Sequence, residues 1–338
     1  MGQPGFFDLD ERYASLSRCG DPLEVLAKEI PWENFRYPLK KALKKPRKSN
    51  AGRKAFDVVL MFKVLVLQSL YNLSDAQTEF MVRDRLSFMR FLGLGLGDRV
   101  PDEKTIWLFK DQLAKGSATK KLFARFDGYL IQKGFAAKKG QIMDAAIVEV
   151  PKQRNSKEEN QQIKRGLVPD WQENKRHQKD TDARWTKKNG VSYFGYKNHL
   201  STDVKHKLVR KWTVTSASVH DSQAFGQLLD KKNSGRGVWA DSAYRSDQIE
   251  ASIKGNYQSH IHHKGYRGHP LSPAKQRVNK KRSKTRARVE HIFGFQTVSM
   301  GGKLIRCVGL TRASHKIGMR NLVYNMCRYT QLLRLKTA

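Results

Sequence analysis

Two aspartates interrupt or end short apolar segments of the sequence. Asp144 lies within the β-rich run Gln141–Val150, and Asp241 ends the short run Gly237–Asp241 just before a helical segment. A carboxylate on an apolar strand is costly unless a cation or several hydrogen-bond donors compensate it. A salt bridge or a capping role would compensate Asp144, and helix capping would compensate Asp241. The ends of sheet strands are also where α/β folds place their functional sites.

A third carboxylate, Glu290, falls in a segment with helical periodicity. Arg286 lies four residues earlier, on the same helix face. Val289 and Ile292 belong to an adjacent apolar stripe that is suited to packing on a sheet. An ordinary ion pair with Arg286 accounts for Glu290, but its place beside the apolar stripe would also bring it to a site at the sheet.

The type of these three residues indicates a particular chemistry. Carboxylates without Cys or clustered His partners suit Mg²⁺ or Mn²⁺, which prefer oxygen ligands. Clustered carboxylates repel one another and therefore need cations. Two ions about 4 Å apart would activate an oxygen nucleophile on one side of a phosphodiester and stabilise the leaving oxygen on the other. The sequence thus predicts Asp144, Asp241 and Glu290 as catalytic and metal-binding residues for phosphoryl transfer on a nucleic acid.

The charge balance indicates a polyanionic partner. The 338 residues include 65 Lys plus Arg against 31 Asp plus Glu, a formal net charge of +34, which makes nucleic acid the expected partner. A membrane is disfavoured because the longest apolar run, Val58–Leu70, is a core helix shorter than the roughly twenty residues of a span. No secretion leader begins the chain, so we expect a cytoplasmic, DNA-associated protein. The three cysteines are expected to be reduced and to form no zinc site.

The pattern of apolar residues divides the chain into three parts. Residues 1–50 contain the basic run Lys40–Lys48, and we expect an arm that is either solvated or in contact with phosphates. Residues 51–135 show helical periodicity and predict a helical N-terminal domain that binds DNA. Residues 136–330 predict the catalytic domain, with a polar insertion near 152–190.

The catalytic part alternates between strands and helices. The predicted strands, with a hairpin between the second and the third, are Gln141–Val150, Tyr193–Asp203, Lys207–Ser216, Gly237–Asp241 and Gln258–His262. Helices are expected from Asp221 to Leu229, after Asp241 and around Glu290. The basic stretch Gly265–Thr285 is expected to be an exposed loop. This order predicts an α/β fold, a mixed sheet with helices packed on it.

Three segments around the carboxylates resemble a known family. Met143-Asp144-Ala145, Trp239–Tyr244 and Arg286-x-x-x-Glu290 resemble the acidic motifs of DDE transposases of the insertion sequence five group, which have a ribonuclease H-like core. Three further segments resemble the family's second-strand motif, its His-Asp pair and its N-terminal domain, namely Phe194–His199, Ser218–Asp221 and Ala51–Leu113. The resemblance covers about residues 50 to 330.

The resemblance implies a ribonuclease H-like mixed sheet flanked by helices, and a transposase activity. Such a protein binds the terminal inverted repeats of its own insertion sequence, cleaves the DNA and transfers the freed strands to a target. Two Mg²⁺ or Mn²⁺ ions are the implied cofactors, and a homodimer on double-stranded DNA is the implied assembly. DNA contacts are expected from Lys197, His199, Tyr244, Arg245 and Arg286. The alternatives are a stand-alone metal-dependent nuclease and a non-catalytic DNA-binding protein.

Some positions depart from related patterns or have a simpler interpretation. The related insertion sequence four group has Tyr and Lys where this chain has Ser283 and Thr297, so those two roles are not carried over. Three histidines resemble a metal cluster, although phosphate contacts or plain surface are more typical of such residues: His260, His262 and His263. His220 and Asp221 fit a strand end and a helix cap as well as they fit a motif.

Overall fold

The computed structural model describes residues 5, 7–43 and 54–337 of the chain. They divide into two compact units, a helical unit (Met1–Phe126 with Asn325–Ala338) and a sheet unit (Asp127–Tyr324). The predicted boundary between the helical and catalytic parts, after residue 135, lies several residues beyond this division. Each unit has buried apolar residues of its own.

The helical unit is organised around an aromatic cluster. The helices that the described residues form up to residue 132 are α1 (Asp8–Arg18), α2 (Pro22–Glu29), α3 (Arg36–Ala42), α4 (Val58–Leu70), α5 (Asp75–Asp84), α6 (Leu86–Leu92), α7 (Glu103–Lys115) and α8 (Ala118–Gln132). Trp32 and Phe35 lie in a 3-10 segment between α2 and α3. Their rings contact Phe62 of α4, and that of Trp32 also contacts Phe91 of α6. These contacts connect the N-terminal helices to the predicted helical domain.

The expectation of an arm over residues 1–50 is wrong for the described residues between 8 and 42. Leu23 and Leu26 of α2 and Leu39 of α3 are almost fully buried. Asp21 caps α2 by accepting a hydrogen bond from the backbone N–H of Leu23 at 2.9 Å. The segment is a helical part of the core because its apolar residues recur at helical spacing. Residues 44–48 of the basic run lie outside the described residues.

Helix α4 lies inside the helical unit, with buried residues on nearly every side. Asp57 caps it by accepting hydrogen bonds from the backbone N–H groups of Val59 and Leu60 at 2.8 and 3.2 Å. The prediction of a core helix here is confirmed. Among the described residues, no single helix is long and apolar enough to cross a membrane, and α4 and α5 meet that test only as a pair bent by 105°.

The sheet unit contains one mixed sheet of six strands among its described residues. The strands are β1 (Gln141–Glu149), β2 (Arg184–Lys188), β3 (Val191–Asp203), β4 (Val209–Ser216), β5 (Gly237–Ala240) and β6 (Gln258–Ile261). Their order is β2-β3-β1-β5-β6, and β4 also pairs with β3. β3 is antiparallel to β1, β2 and β4, whereas β5 is parallel to β1 and β6. The predicted α/β class, the hairpin and the five predicted strands are confirmed.

The polar stretches contain more structure than the sequence analysis predicted. The remaining helices of the described residues are α9 (Lys157–Lys164), α10 (Glu173–Gln178), α11 (Phe225–Leu228), α12 (Asp247–Ile253), α13 (Pro273–Arg286), α14 (Glu290–Val298) and α15 (Leu310–Thr337). The expectation of a loop over Gly265–Thr285 is wrong from residue 273 on, where α13 forms. Ser272 caps α13 and Pro273 occupies its first turn, so its start signals were present without an apolar stripe. α9, α10 and β2 likewise form within residues 152–190.

Strand β1 separates the core from the site. Met143 is buried in a cluster that includes Val238 and Ala240 of β5. Asp144 points to the opposite face of the sheet because successive side chains of a strand alternate. β1 and β5 pair in parallel with Met143 opposite Ala240. Asp144 and Asp241 are therefore the next residues along two neighbouring parallel strands.

Candidate active site

A cleft of about 550 Å³ opens beside β1 in the sheet unit. Its lining includes all three carboxylates predicted from the sequence, Asp144, Asp241 and Glu290. It also includes three cationic side chains, those of Lys188, Arg286 and Lys303. The structure thus brings the predicted acids together from three separate elements, β1, the end of β5 and α14.

Asp144 is a largely buried carboxylate that is compensated by an arginine. Nη1 of Arg286 donates a hydrogen bond to Oδ2 of Asp144 at 2.5 Å, and the backbone N–H of Ala145 donates to Oδ1 at 2.8 Å. Burial raises the pKa of Asp144 above its ordinary value, and the nearby charge of Asp241 raises it further, while Arg286 acts in the opposite direction. The salt-bridge interpretation of Asp144 is therefore correct, and the same side chain also faces the cleft.

Asp241 has a capping role and a place in the cleft at once. Its carboxylate accepts a hydrogen bond from the backbone N–H of Ala243, at the start of the 3-10 segment Ser242–Tyr244. The cap fixes the side chain at the carboxyl end of β5, beside Asp144 on β1. The capping interpretation is confirmed, and it leaves carboxylate oxygen available to the cleft.

Glu290 is the first residue of α14 and is the most exposed of the three acids. Its side chain is 64% exposed, and its Oε1 lies 3.7 Å from Nη2 of Arg286. Arg286 is 24% exposed and thus contacts both Asp144 and Glu290. The predicted ion pair between Glu290 and Arg286 is therefore present. Both residues also line the cleft, as expected if Glu290 belongs to a site beside the sheet.

The donor set has the chemistry of a divalent-cation site. Carboxylates are the protein ligands that Mg²⁺ and Mn²⁺ prefer, and the three acids share one cleft. Within the described residues, no group of three or more His, Cys, Asp or Glu side chains lies close enough together to hold a metal ion as it stands. Arg286 supplies the positive charge at this place. The acids match a divalent ion by type, and holding one would require the contacts of Arg286 to change.

A hairpin tip forms part of the cleft wall. β2 ends at Lys188, and the turn Asn189-Gly190 leads into β3. Both turn residues have positive φ, 51° and 81°, as a tight hairpin turn requires. Lys188 and Asn189 line the cleft together with Tyr193 of β3. This wall was not predicted from the sequence, although Asn-Gly is a strong hairpin signal.

Three buried amides hold α14 against the sheet. Nε2 of Gln296 donates to Oδ1 of Asn321 at 2.8 Å, and Nδ2 of Asn198 donates to the same oxygen at 3.0 Å. Nδ2 of Asn321 in turn donates to Oδ1 of Asn198 at 3.1 Å. All three residues are nearly inaccessible to solvent. The network joins β3, α14 and α15, and it fixes the helix that carries Glu290.

Two of the predicted DNA contacts are wrong in this structure. His199 and Tyr244 are fully buried, so neither side chain can reach a DNA surface. His199 lies opposite Ala145 in the β1–β3 ladder, on the face of β1 that turns away from Asp144. Its Nε2 is 2.8 Å from Oγ1 of Thr215, and burial lowers the pKa of His199 to about 4. The physical reason is that β3 is covered on both faces here, since Asn198 and Leu200 on the other face are buried as well.

Three other predicted DNA-contact residues have partners within the protein. Nζ of Lys197 donates to Asp221 and to the carbonyl of Val219, each at 2.8 Å. Nη1 of Arg245 donates to the carbonyl of Ile261 at 2.9 Å. Arg286 binds Asp144, as described above. DNA contact by Lys197, Arg245 and Arg286 stays a prediction.

The histidines found by the sequence analysis have structural partners. The ring of His260 stacks on Trp239 with centroids 4.5 Å apart, and Nε2 of His262 lies 3.4 Å from Oγ of Ser283. His263 hydrogen-bonds through its backbone to Asn279. They do not form a metal cluster among the described residues. His220 caps the 3-10 segment Asp221–Ala224, in agreement with the simpler interpretation.

The fold and the cleft define an α/β protein in which Asp144 and Asp241 directly follow the last paired residues of two neighbouring parallel strands. Residues 135–326 match the family model described as Transposase DDE domain, and residues 11–112 match the model described as Transposase domain (DUF772). The chain therefore belongs to the Transposase DDE domain family, and the prediction of a DDE transposase is confirmed at this level. A solved structure titled "Cryo-EM structure of piggyBac transposase synaptic complex with hairpin DNA" is 11% identical, with a TM-score of 0.47 over 94% of this chain and 75% of that chain.

Proposed function

We propose that this transposase binds the terminal inverted repeats of its own insertion sequence, cleaves the DNA and joins the freed 3′ hydroxyls to target DNA. The observation that carries the proposal is that Asp144 and Asp241 lie side by side, each directly after the last paired residue of two neighbouring parallel strands. Glu290 lines the same cleft. The strand arrangement, antiparallel β4-β3-β1 followed by parallel β5 and β6, supports the further proposal of a ribonuclease H-like core of the insertion sequence five group.

The three acids would hold the divalent ions that the family uses. Mg²⁺ or Mn²⁺, as a pair of ions, would supply the positive charge that activates the attacking oxygen and stabilises the leaving oxygen of the phosphodiester. Asp144 and Asp241 are suited to this role because β1 and β5 fix their backbones next to each other. Glu290 approaches from α14, which the amide network holds against the sheet.

The cations of the cleft would bind the substrate. Lys188 and Lys303 are exposed and line the cleft, so their ammonium groups are available to phosphate oxygens. Nε of Arg286 is buried and has no hydrogen-bond partner among the described residues. A buried donor without a partner is unfavourable, and a phosphate oxygen in the cleft would satisfy it. This supports a DNA contact for Arg286.

The helical unit would supply recognition of the terminal repeats. Residues 11–112 match a transposase domain model, and the helices of this segment have their own core. We further propose that the protein acts as a homodimer on double-stranded DNA, because the two ends of one element must be processed together. The net charge of +34 supports a polyanionic partner such as double-stranded DNA.

Single-turnover cleavage of a labelled duplex carrying the element's end tests the proposal. The wild-type protein is expected to cut this duplex in Mg²⁺ and to join the freed 3′ end to a second duplex. Asp144→Asn and Asp241→Asn are expected to bind the duplex and to cut it slower by orders of magnitude. Cutting at the wild-type rate by either variant would overturn the site. Cutting without joining would identify a stand-alone nuclease instead.

A further inference from the structure

Helix α13 is strongly basic and lies next to the cleft. Its 14 residues include seven basic side chains and no acidic one: Lys275, Arg277, Lys280, Lys281, Arg282, Lys284 and Arg286. None of its described residues is buried. Most helices of a folded protein pack against the rest of the chain through an apolar stripe, which α13 lacks. Another type of contact must therefore hold it.

One face of α13 is anchored to the sheet unit by polar contacts. The backbone N–H of His263 donates to Oδ1 of Asn279 at 2.8 Å, and Nδ2 of Asn279 donates to the His263 carbonyl at 3.0 Å. Nη1 of Arg282 donates to the carbonyl of Ile261 at 2.5 Å. Arg286 follows on the same face and binds Asp144. The inner face of α13 thus connects the end of β6 to the active-site acid.

The opposite face carries only cations. Arg277, Lys280, Lys281 and Lys284 follow the spacing i, i+3, i+4, i+7, so they form one exposed stripe. None of the four pairs with an acidic side chain among the described residues. Like charges three or four residues apart destabilise a helix. The fold maintains this stripe at a cost that an anionic partner would offset.

We propose that the outer face of α13 binds the phosphate backbone of the substrate DNA duplex and leads it into the cleft. The proposal rests on the proposed function, since it names where the substrate lies. From Arg277 to Lys284 the helix advances about 10 Å. One DNA strand carries a phosphate for about every 3.4 Å of its axis, so the stripe spans about three phosphates. Arg286 lies two residues beyond Lys284, on the inner face at the end of α13, and binds Asp144 in the cleft toward which the strand would lead.

Salt dependence of DNA binding tests the proposal. The test variant combines Arg277→Gln, Lys280→Gln, Lys281→Gln and Lys284→Gln. A control variant removes the same charge from exposed lysines elsewhere in the sheet unit, by Lys205→Gln, Lys211→Gln, Lys231→Gln and Lys232→Gln. The probe is a mixed-sequence DNA duplex, and its affinity is measured against salt concentration by fluorescence anisotropy without divalent metal.

The slope of log affinity against log salt is expected to become shallower by about 2 to 3 in the test variant, since each phosphate contact contributes about 0.9. The control variant is expected to change the slope by less than about 1. The Tm of the test variant is expected to stay the same or to rise, because repulsion along the stripe is removed. Such a result shows that lost binding is not lost folding.

Three outcomes separate this inference from the proposed function. Equal slopes for the test and control variants would overturn the role of α13 and leave DNA cleavage untouched. A steep slope for the wild type with no cutting would overturn the cleavage proposal, while the comparison of variants still decides the role of α13. A flat slope for the wild type would overturn both, because DNA would no longer be the partner.

Discussion

Arg286 and Asp144 are 142 positions apart in the sequence, and a hydrogen bond of 2.5 Å joins Nη1 of the first to Oδ2 of the second. Nη2 of the same arginine lies 3.7 Å from Glu290. One guanidinium therefore compensates two of the three predicted acids of the cleft. The helix α13, which ends at Arg286, is in this way connected to the strand β1 that carries Asp144.

Replacing Arg286 by Gln is expected to tighten Mn²⁺ binding and to slow DNA cleavage. The guanidinium occupies Oδ2 of Asp144 and repels a second cation, so its removal should favour the metal on the order of tenfold, or about 1.4 kcal/mol. Cleavage should fall because the donor to the substrate is lost. Calorimetric titration with Mn²⁺ without DNA measures the first effect, with Arg236→Gln as a control remote from the cleft lining. Weaker Mn²⁺ binding in Arg286→Gln would mean that the arginine instead positions Asp144 for the metal.

Glu290→Gln separates an ion pair from a catalytic role. Glu290 is 64% exposed, so losing its contact with Arg286 should change the free energy of unfolding by at most about 0.5 kcal/mol. Cleavage should fall by orders of magnitude if the acid holds a metal. Urea unfolding and single-turnover cleavage measure the two effects. Glu173→Gln, which removes an exposed partner of His177 at the same i,i+4 spacing, is the matched control and should leave both unchanged. Normal cutting by Glu290→Gln would remove this acid from the site.

The burial of His199 predicts a loss of stability in acid. Burial lowers the pKa of this imidazole to about 4 from its ordinary 6.5, so the folded protein holds the neutral form. Its contribution to stability is complete above pH 6.5 and decreases as the pH falls toward 4, because only the unfolded chain then binds the proton. The free energy of unfolding of the wild type, relative to that of His199→Gln, should therefore fall by about 1 to 3 kcal/mol across this range. Urea unfolding at several pH values checks it, and a difference that stays constant from pH 7 to 4 would place His199 in contact with solvent.

Asn321→Ala is expected to destabilise the sheet unit and to reduce cleavage. The change removes the acceptor of two buried amide donors, on Asn198 and Gln296, and a buried group left without a partner costs about 1 to 3 kcal/mol. Cleavage should fall further than unfolding explains, because α14 carries Glu290 into the cleft. Rates are compared under conditions where both proteins are fully folded. A triple variant with Leu at positions 198, 296 and 321 should lose less stability than the single changes summed. A loss below about 0.5 kcal/mol in Asn321→Ala would show that water replaces the amide.

The sequence predicts the strands and the acids of the cleft because both follow local rules. Gln141–Val150 is β-rich around Asp144, and β1 forms there. The short run before Asp241 likewise becomes β5. The parallel pairing of these two strands is a long-range choice that no local pattern encodes, and it is what brings the two aspartates together. The resemblance to a family supplied that step.

The predictions that the structure corrects failed for separate physical reasons. α13 has no apolar stripe, so a method based on apolar periodicity assigns it to a loop, although Ser272 and Pro273 signal its start. The assignment of His199 to a DNA surface failed because β3 is buried on both faces around this residue, where Asn198 and Leu200 are also nearly inaccessible to solvent. Period-two alternation identifies the two faces of a strand, and it does not say whether one or both are buried. The salt bridge of Arg286 with Asp144 was out of reach, since the sequence places the arginine next to Glu290 alone.

Because side chains alternate between the two faces of β1, the site is sensitive to the insertion or deletion of a single residue in this strand. Asp144 lies opposite Leu200 and Ala145 opposite His199 in the antiparallel ladder. A single-residue insertion just before Asp144 that keeps the pairing of the preceding residues would move Asp144 opposite His199, so its carboxylate would turn from its present face of β1 to the other face. Length variation among relatives should therefore be concentrated between β1 and β2, in residues 150–183, where the chain leaves the ladder. A relative with one residue more or fewer between Gln141 and Glu149 is expected to have lost cleavage, whatever DNA it still binds.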